Sequence, residues 1–165
     1  MSPSPPRLDR IDMKILAELQ SNGRMTNVML AEAVGLSASP CLQRVKRMEQ
    51  AGYITGYGAQ IALAKFGETV TVFTEITLNG HTREYFQTFE AALRRVEEAM
   101  ECHLISGGYD YLVKFVTRGL PHYQEVIEAL LDRNIGIAKY FSYIVLRTPI
   151  DKAQLPLGIL FRDEG

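Results

Sequence analysis

The chain has 165 residues, 47% of them hydrophobic and 22% charged. That balance fits one or two folded domains and excludes gross disorder. The formal net charge of −1, taken as a sum, argues against a simple basic nucleic-acid coat protein.

Residues 1–7 hold a Ser-Pro-Ser-Pro-Pro run with no apolar core, so they are expected to form a disordered arm and not a signal peptide. Leu8, Ile11, Ile15 and Leu19 then recur every three or four residues, one face of a first helix. Asn22-Gly23 is expected to end it through a residue that accepts positive φ. Thr26 is placed to cap a short second helix carrying Val28, Leu30, Ala31 and Val34, which Gly35 stops. Ser37-Ala38-Ser39-Pro40 opens a third. Either serine suits the cap, and Pro40 falls in the first turn, where a missing N–H costs nothing. This helix should run to about Gln50.

From Tyr53 the pattern turns to β. Gly56 and Gly58 within Tyr53–Ala59 suggest a short extended linker or hairpin. Thr69 to Leu78 alternates as a half-buried strand, with Val70, Val72, Thr74, Ile76 and Leu78 on one face. Arg83 to Glu98 reads as an amphipathic helix with Phe86, Phe89, Leu93 and Val96 inward. Met100–Ser106 and Tyr111–Thr117 read as strands, Pro121–Asp132 as a helix and Ile137–Arg147 as a last strand. The order β-α-β-β-α-β is the ferredoxin-like pattern. The fold class is therefore α+β, with domains over 8–55 (helix-turn-helix) and 69–150 (sheet). A β linker over 56–68 joins them, and a C-terminal tail covers 151–165. No apolar run approaches the roughly 20 residues of a membrane-spanning helix. Cys41 and Cys102 form neither a CxxC pair nor a disulfide framework. A cytoplasmic protein with no membrane partner is expected.

The charge is unevenly split. Residues 1–55 carry seven Lys/Arg and five Asp/Glu; the rest carries eleven and fourteen. The modest positive excess lies on the segment that looks fit to read DNA. Ala31 is small where two helices must cross, Gly35 supplies the turn, and Leu30, Val34, Leu36 and Val45 can lock the crossing, as in a helix-turn-helix. At 100° per residue from Leu42, Cys41, Val45 and Met48 join Leu42 in one apolar stripe. Ser39, Gln43, Lys46, Arg47 and Gln50 lie opposite, and Arg44 flanks them. Ser39 and Gln43 are candidates for base edges; Arg44, Lys46 and Arg47 for phosphate contact or guanine recognition. The alternative is a plain three-helix bundle with a solvated basic face. So weakly basic a module should hold DNA through repetition in an oligomer.

In the sheet half, Ser106-Gly107-Gly108-Tyr109-Asp110-Tyr111 joins two strands. Its glycines expose N–H groups that suit a carboxylate, Asp110 suits an ammonium, and Leu104 and Ile144 suit an apolar side chain. On these residues alone an ordinary hairpin turn is the better reading. Nothing points to an enzyme or to a resident cofactor. His81, His103 and His122 lack metal-ligand spacing. Cys102 and His103 are adjacent in a strand and point to opposite faces. There is no Walker loop and no GxGxxG.

Taken together, the segments Leu8–Asp12, Gly23-Arg24, Thr26–Val28, Val34–Ser37, Ser39–Leu42 with Arg44-Val45, Gly56-Tyr57, Glu75–Asn79, Glu101–Leu104, Ser106-Gly107 and Asp110–Leu112 resemble the Lrp/AsnC (leucine-responsive, feast/famine) transcriptional regulators, and the leucine-responsive branch most. The resemblance runs from Leu8 to about Leu160. It implies an N-terminal winged helix-turn-helix that binds double-stranded DNA, and a C-terminal ligand-sensing domain. It implies homodimers paired through their sheets and assembled as a tetramer of dimers, an octamer. It also implies a small amino-acid effector held between dimers by Leu104, Gly107, Tyr109, Asp110, Ser142, Tyr143, Ile144 and Val145, with Leu120 and Leu131 as apolar walls. Gly108 stands where close relatives often carry an acidic residue. The apolar Leu104, Ile144 and Val145 favour leucine or methionine over lysine or glutamate. The alternatives are an effector-independent DNA-architectural protein and a ferredoxin-like metabolite-binding module or enzyme.

Overall fold

Three helices open the chain in the computed structural model, which describes residues 6–161; the bulk of the expected arm over 1–7 lies outside them. Helix α1, Arg10–Ser21, is capped by Asp9, whose carboxylate accepts from the N–H groups of Ile11 and Asp12, while Asp12 accepts from the N–H of Asp9. This reciprocal box satisfies donors that a helix start otherwise leaves open. The helix ends at Asn22 with φ −147°, without the left-handed residue expected at Asn22-Gly23. Its last turn closes by the Asn22 N–H donating to the Glu18 carbonyl.

Helix α2, Asn27–Val34, is capped by the Thr26 hydroxyl and stopped by Gly35 at φ 75°, a conformation that a Cβ strains. Helix α3, Ala38–Gln50, starts at Ser37, whose side chain makes no capping bond. Ile15, Leu30, Ala31, Val34, Cys41 and Met48 form the core of these helices, with Val45, Leu36 and Ile54 packed at its margin. Leu42, expected in the buried stripe, is 42% exposed. The stripe is centred on Cys41 and Met48. Leu42 lies about 110° from that centre at 100° per residue, beyond the reach of the core.

The segment 56–68, expected as a β linker, contains no strand; its one regular turn is a 3-10 turn over Leu63–Lys65. A Cβ at Gly56 or Gly58 would meet nothing within 4 Å, and no neighbouring strand pairs with this stretch, so no ladder forms. The expected C-terminal tail contains a short helix, α6, Leu157–Leu160. Residues 150–165 group with 1–60 as one unit, and 61–149 form the other.

The second unit is a four-stranded antiparallel sheet of β1 (Val70–Leu78), β2 (Ala99–Leu104), β3 (Tyr111–Thr117) and β4 (Ile137–Ile144), in the order β2-β3-β1-β4. Helices α4 (Arg83–Leu93) and α5 (Leu120–Leu131) cover one face. Beneath them lie Val72, Ile76, Tyr111, Val113 and Phe115, with Phe89, Leu93, Tyr123 and Ile127 from the helices. Alternation along β1 and β3 puts every second residue in this core. Helix α4 stops short of the expected Glu98. Tight turns from Arg95 to Ala92 and from Val96 to Leu93 reverse the chain into β2 while Val96 still packs on the core. Strand β4 ends at Ile144, short of the expected Arg147; one further bond, from the Val145 N–H to the Thr71 carbonyl at 2.9 Å, follows it.

Candidate functional site

In the helical unit, the polar face of α3 projects Ser39, Gln43, Lys46 and Gln50, all exposed. Ser39, Gln43 and Lys46 are therefore free of the core, as their positions on the helix predicted. The two arginines of the set lie elsewhere. Arg44 Nη1 sits 2.6 Å from Asp9 Oδ2 and 2.9 Å from Asp12 Oδ1, and Arg47 Nη2 sits 2.5 Å from Asp12 Oδ2. Asp12 is fully buried. The Arg44 side chain is 26% exposed and that of Arg47 46%. Two carboxylates and two guanidiniums thus balance across the α1–α3 packing. The Asp12 backbone N–H, and then Arg44, hold the Asp9 carboxyl below the ordinary range, and Asp9 and Asp12 push Arg44 up.

Sequence reasoning missed Asp12. The signal was present: Asp12 lies about 55° from the centre of the Leu8–Ile11–Ile15–Leu19 stripe at 100° per residue, close enough to be carried inward. A buried carboxylate must be paired, and Arg44 sits about 50° from the buried centre of α3 on the corresponding side.

Asn27 adds a further stitch, its Nδ2 donating to the Ala38 carbonyl at 2.7 Å. On the other side of α1, Gln20 exchanges two hydrogen bonds with the backbone of Leu155, at 2.8 and 3.4 Å. A cleft of about 1060 Å³ lies between α1, residues 53–57 and this C-terminal segment, with Leu8, Leu16, Leu19 and Phe161 in its lining.

In the sheet unit, the loop between β2 and β3 is held from below. Asp110 Oδ2 accepts from the Leu78 N–H at 2.7 Å, and Oδ1 lies 2.9 Å from His81 Nε2. The Asp110 side chain is only 13% exposed. It is anchored at the end of β1 and not simply held out to solvent. Gly107 and Gly108 border open space. Tyr123 reaches from α5 to bond Thr74 on β1 at 2.8 Å and Ser142 on β4 at 2.5 Å.

Strand register locates four of the eight ligand candidates, Leu104, Ser142, Tyr143 and Ile144; Gly107, Tyr109 and Asp110 lie in the β2–β3 loop and Val145 just after β4. Leu104 pairs with Tyr111, which pairs with Ile76 at the loop end of the sheet. Ser142 and Ile144 pair with Thr74 and Val72 towards the opposite end. At about 3.3 Å per residue and about 4.8 Å per strand, Leu104 and the Ser142–Ile144 segment are about 15–20 Å apart across one sheet. They also divide between faces: Ser142 and Ile144 share the helix side, whereas Tyr143 lies with Phe73 on the open side. The structure thus brings Gly107, Tyr109 and Asp110 together in one loop, and gathers Ser142–Val145 at another corner. A second cavity, about 440 Å³ and lined by Asn79, Glu84, Tyr85 and Asn134, touches none of the eight.

The open face carries Phe73, Leu112, Val116, Phe141 and Tyr143 beside Lys114, whose ammonium lies 2.8 Å from Glu101. Phe141 and Tyr143 are 56% and 52% exposed. Partial desolvation, then Glu75, raises the Tyr143 phenol. Cys102 pairs with Val113 and His103 with Leu112, so their side chains lie on opposite faces. Among the described residues no helix is long and apolar enough to cross a membrane, and no group of three or more His, Cys, Asp and Glu side chains gathers as a metal site.

Residues 8–55 match a family model described as winged helix-turn-helix DNA-binding, and residues 71–155 match one described as the Lrp/AsnC ligand binding domain. The chain is 44% identical over 142 residues to the transcriptional regulatory protein DoeX of Halomonas elongata, covering 86% of this chain and 90% of that one. It is 43% identical over 139 residues to the leucine-responsive regulatory protein of Salmonella typhimurium, covering 84% and 85%. Its fold is similar to that of a transcriptional regulator from Neisseria meningitidis solved as an L-Met complex (TM-score 0.87, 32% identity, 94% of this chain and 100% of that one). An AsnC family transcriptional regulator from Agrobacterium tumefaciens gives the same TM-score at 30% identity, covering 93% and 100%.

Proposed function

The chain belongs to the Lrp/AsnC family of transcriptional regulators, and on that footing we propose that a nonpolar amino acid, leucine or methionine, bound between dimers sets how this regulator holds DNA. A DNA-binding helix-turn-helix and an amino-acid-binding domain are what the family matches establish; the chain is no enzyme. The effector, its site and the assembly are our reading.

The observation that carries it is the division of the eight candidates between two corners and two faces of one sheet. One chain keeps the two corners about 15–20 Å apart, and in our reading two copies contribute one corner each. Leu104, 62% exposed, and Ile144, 47% exposed, supply apolar walls. The Gly107-Gly108 backbone supplies N–H donors for a carboxylate, and Asp110 supplies the negative charge near which an ammonium settles. The open face, rich in Phe73, Phe141 and Tyr143, suits sheet-to-sheet dimers that stack into an octamer. On the DNA side, Ser39, Gln43 and Lys46 meet the groove, with Arg47 at its rim. A chromosomal target places the protein in the cytoplasm.

Linkage supplies the mechanism. A ligand that binds one assembly state better shifts the population toward it by its differential affinity, and assembly sets the spacing of the reading heads. The test is a thermal-shift series on the full chain with leucine, methionine, lysine and glutamate, beside sedimentation and DNA-binding titrations. Leucine or methionine at 100 times its dissociation constant should stabilise by about 2.7 kcal/mol and change both sedimentation and DNA affinity. Asp110→Ala should abolish that response and leave basal DNA binding. Identical curves with every amino acid would instead make the protein an effector-independent architectural one.

A further inference from the structure

We propose that Asp12, a residue of α1 with no exposed surface, is the positioning residue of the DNA-reading helix: it holds Arg47 aimed at a DNA phosphate, while Arg44 serves only inside the protein. This rests on the reading of α3 as the helix that meets DNA.

The geometry separates the two arginines. Measured from the buried centre of α3 between Cys41 and Met48, Arg44 lies about 50° round the helix and Arg47 about 110°, at 100° per residue. The polar face of Ser39, Gln43, Lys46 and Gln50 lies about 150–170° round. Arg44 therefore belongs to the packed side. It meets two carboxylates, Asp9 and Asp12, at 2.6 and 2.9 Å through one nitrogen, and its charge is spent there. Arg47 belongs to the rim. One of its nitrogens is held by Asp12 at 2.5 Å, and its side chain is 46% exposed. A guanidinium carries five N–H donors in a rigid fork. A nitrogen fixed from below leaves the outward N–H groups directed away from the protein, where a phosphate oxygen accepts them.

Asp12 is itself fixed. Its own N–H donates to Asp9 Oδ1 at 2.8 Å, and its Oδ2 accepts from the Asp9 N–H at 3.0 Å. The carboxylate is therefore a rigid post on α1 against which α3 is keyed. A long flexible side chain loses rotamer freedom when it grips a phosphate; here that ordering is done before DNA arrives.

The test is the salt dependence of binding to a labelled mixed-sequence duplex by the full-length protein between 50 and 200 mM KCl. Each phosphate contact adds about 0.9 to the slope of log affinity against log salt. Arg47→Ala should flatten the slope by about one for each reading head on the duplex. Arg44→Ala should lower the melting temperature and keep the slope. Asp12→Asn, with its fold checked by circular dichroism, should flatten the slope like Arg47→Ala although both arginines remain, and adding Arg47→Ala to it should change nothing more. A steeper slope in Asp12→Asn would show that Asp12 competes with DNA for Arg47, overturning the proposal. So would equal slopes for the Arg44 and Arg47 variants, a comparison that holds even if Asp12→Asn does not fold. Lys46→Ala separates the underlying reading: if it too leaves the slope unchanged, α3 does not face DNA.

Discussion

Tyr123→Phe removes one oxygen from the sheet unit and so isolates one network. The Tyr123 hydroxyl bridges Thr74 on β1 and Ser142 on β4. Thr74 has no exposed surface, so its hydroxyl loses its partner with no water to replace it, which costs roughly 1–3 kcal/mol. Ser142 is exposed and recovers most of its bond from solvent. The expected loss is about 2 kcal/mol. For a unit the size of residues 61–149 that is a fall of roughly 10 °C in its calorimetric midpoint, at fixed protein concentration because assembly itself shifts the midpoint. Thr74→Val placed on top should restore part of the loss, since a hydroxyl pair removed together leaves nothing unsatisfied. A single-variant loss below about 0.5 kcal/mol, or strict additivity in the double variant, would refute the account of a closed buried network.

Two further outcomes follow from local geometry and charge. Gly136 has φ 85°, and a Cβ there would lie 2.8 Å from the Tyr85 ring; Gly136→Ala should destabilise the sheet unit by roughly 1–2 kcal/mol, and an unmoved calorimetric midpoint would refute it. The Asp12 N–H, and then Arg44, hold the folded Asp9 carboxyl below the ordinary aspartate range, so its contribution is present above the unfolded value, about pH 4, and is lost as pH falls through the lower folded value. Helical circular dichroism of the full chain should therefore show acid loosening that Asp9→Asn reduces. The effect is small because the Asp9 side chain is 53% exposed, and equal acid profiles for the two proteins would refute it.

The elements were legible where local chemistry alone decides them. The Thr26 hydroxyl and the missing Cβ of Gly35 bracket α2, and the alternation of Val72, Thr74, Ile76 and Leu78 gives the buried face of β1. What remained hidden depended on partners far along the chain. A helical wheel ranks Arg44 and Arg47 by angle, but their destination is a carboxylate more than thirty positions earlier. The same limit hid the hydrogen bonds from Gln20 to Leu155, which turn an expected tail into part of the helical unit. The glycines at 56 and 58 suggested a β linker, yet a strand needs a neighbour, and no local pattern reports that the neighbour is missing. The loop chemistry of Gly107 and Asp110 is local, whereas Tyr109, Ser142, Tyr143 and Val145 join the ligand set only through resemblance, and the separation of Leu104 from Ser142–Ile144 is visible only in the strand register.

Gln20 and Leu155 also set an order of manufacture. The three helices leave the ribosome before the sheet, yet the segment that seats against α1 is made only after it. At roughly 5–20 residues per second, the hundred residues from 61 to 161 delay that closure by roughly 5–20 s. Until then the apolar flank of α1 lies uncovered, and a nascent head is an unfinished one. The sheet is therefore already made when this segment reaches α1.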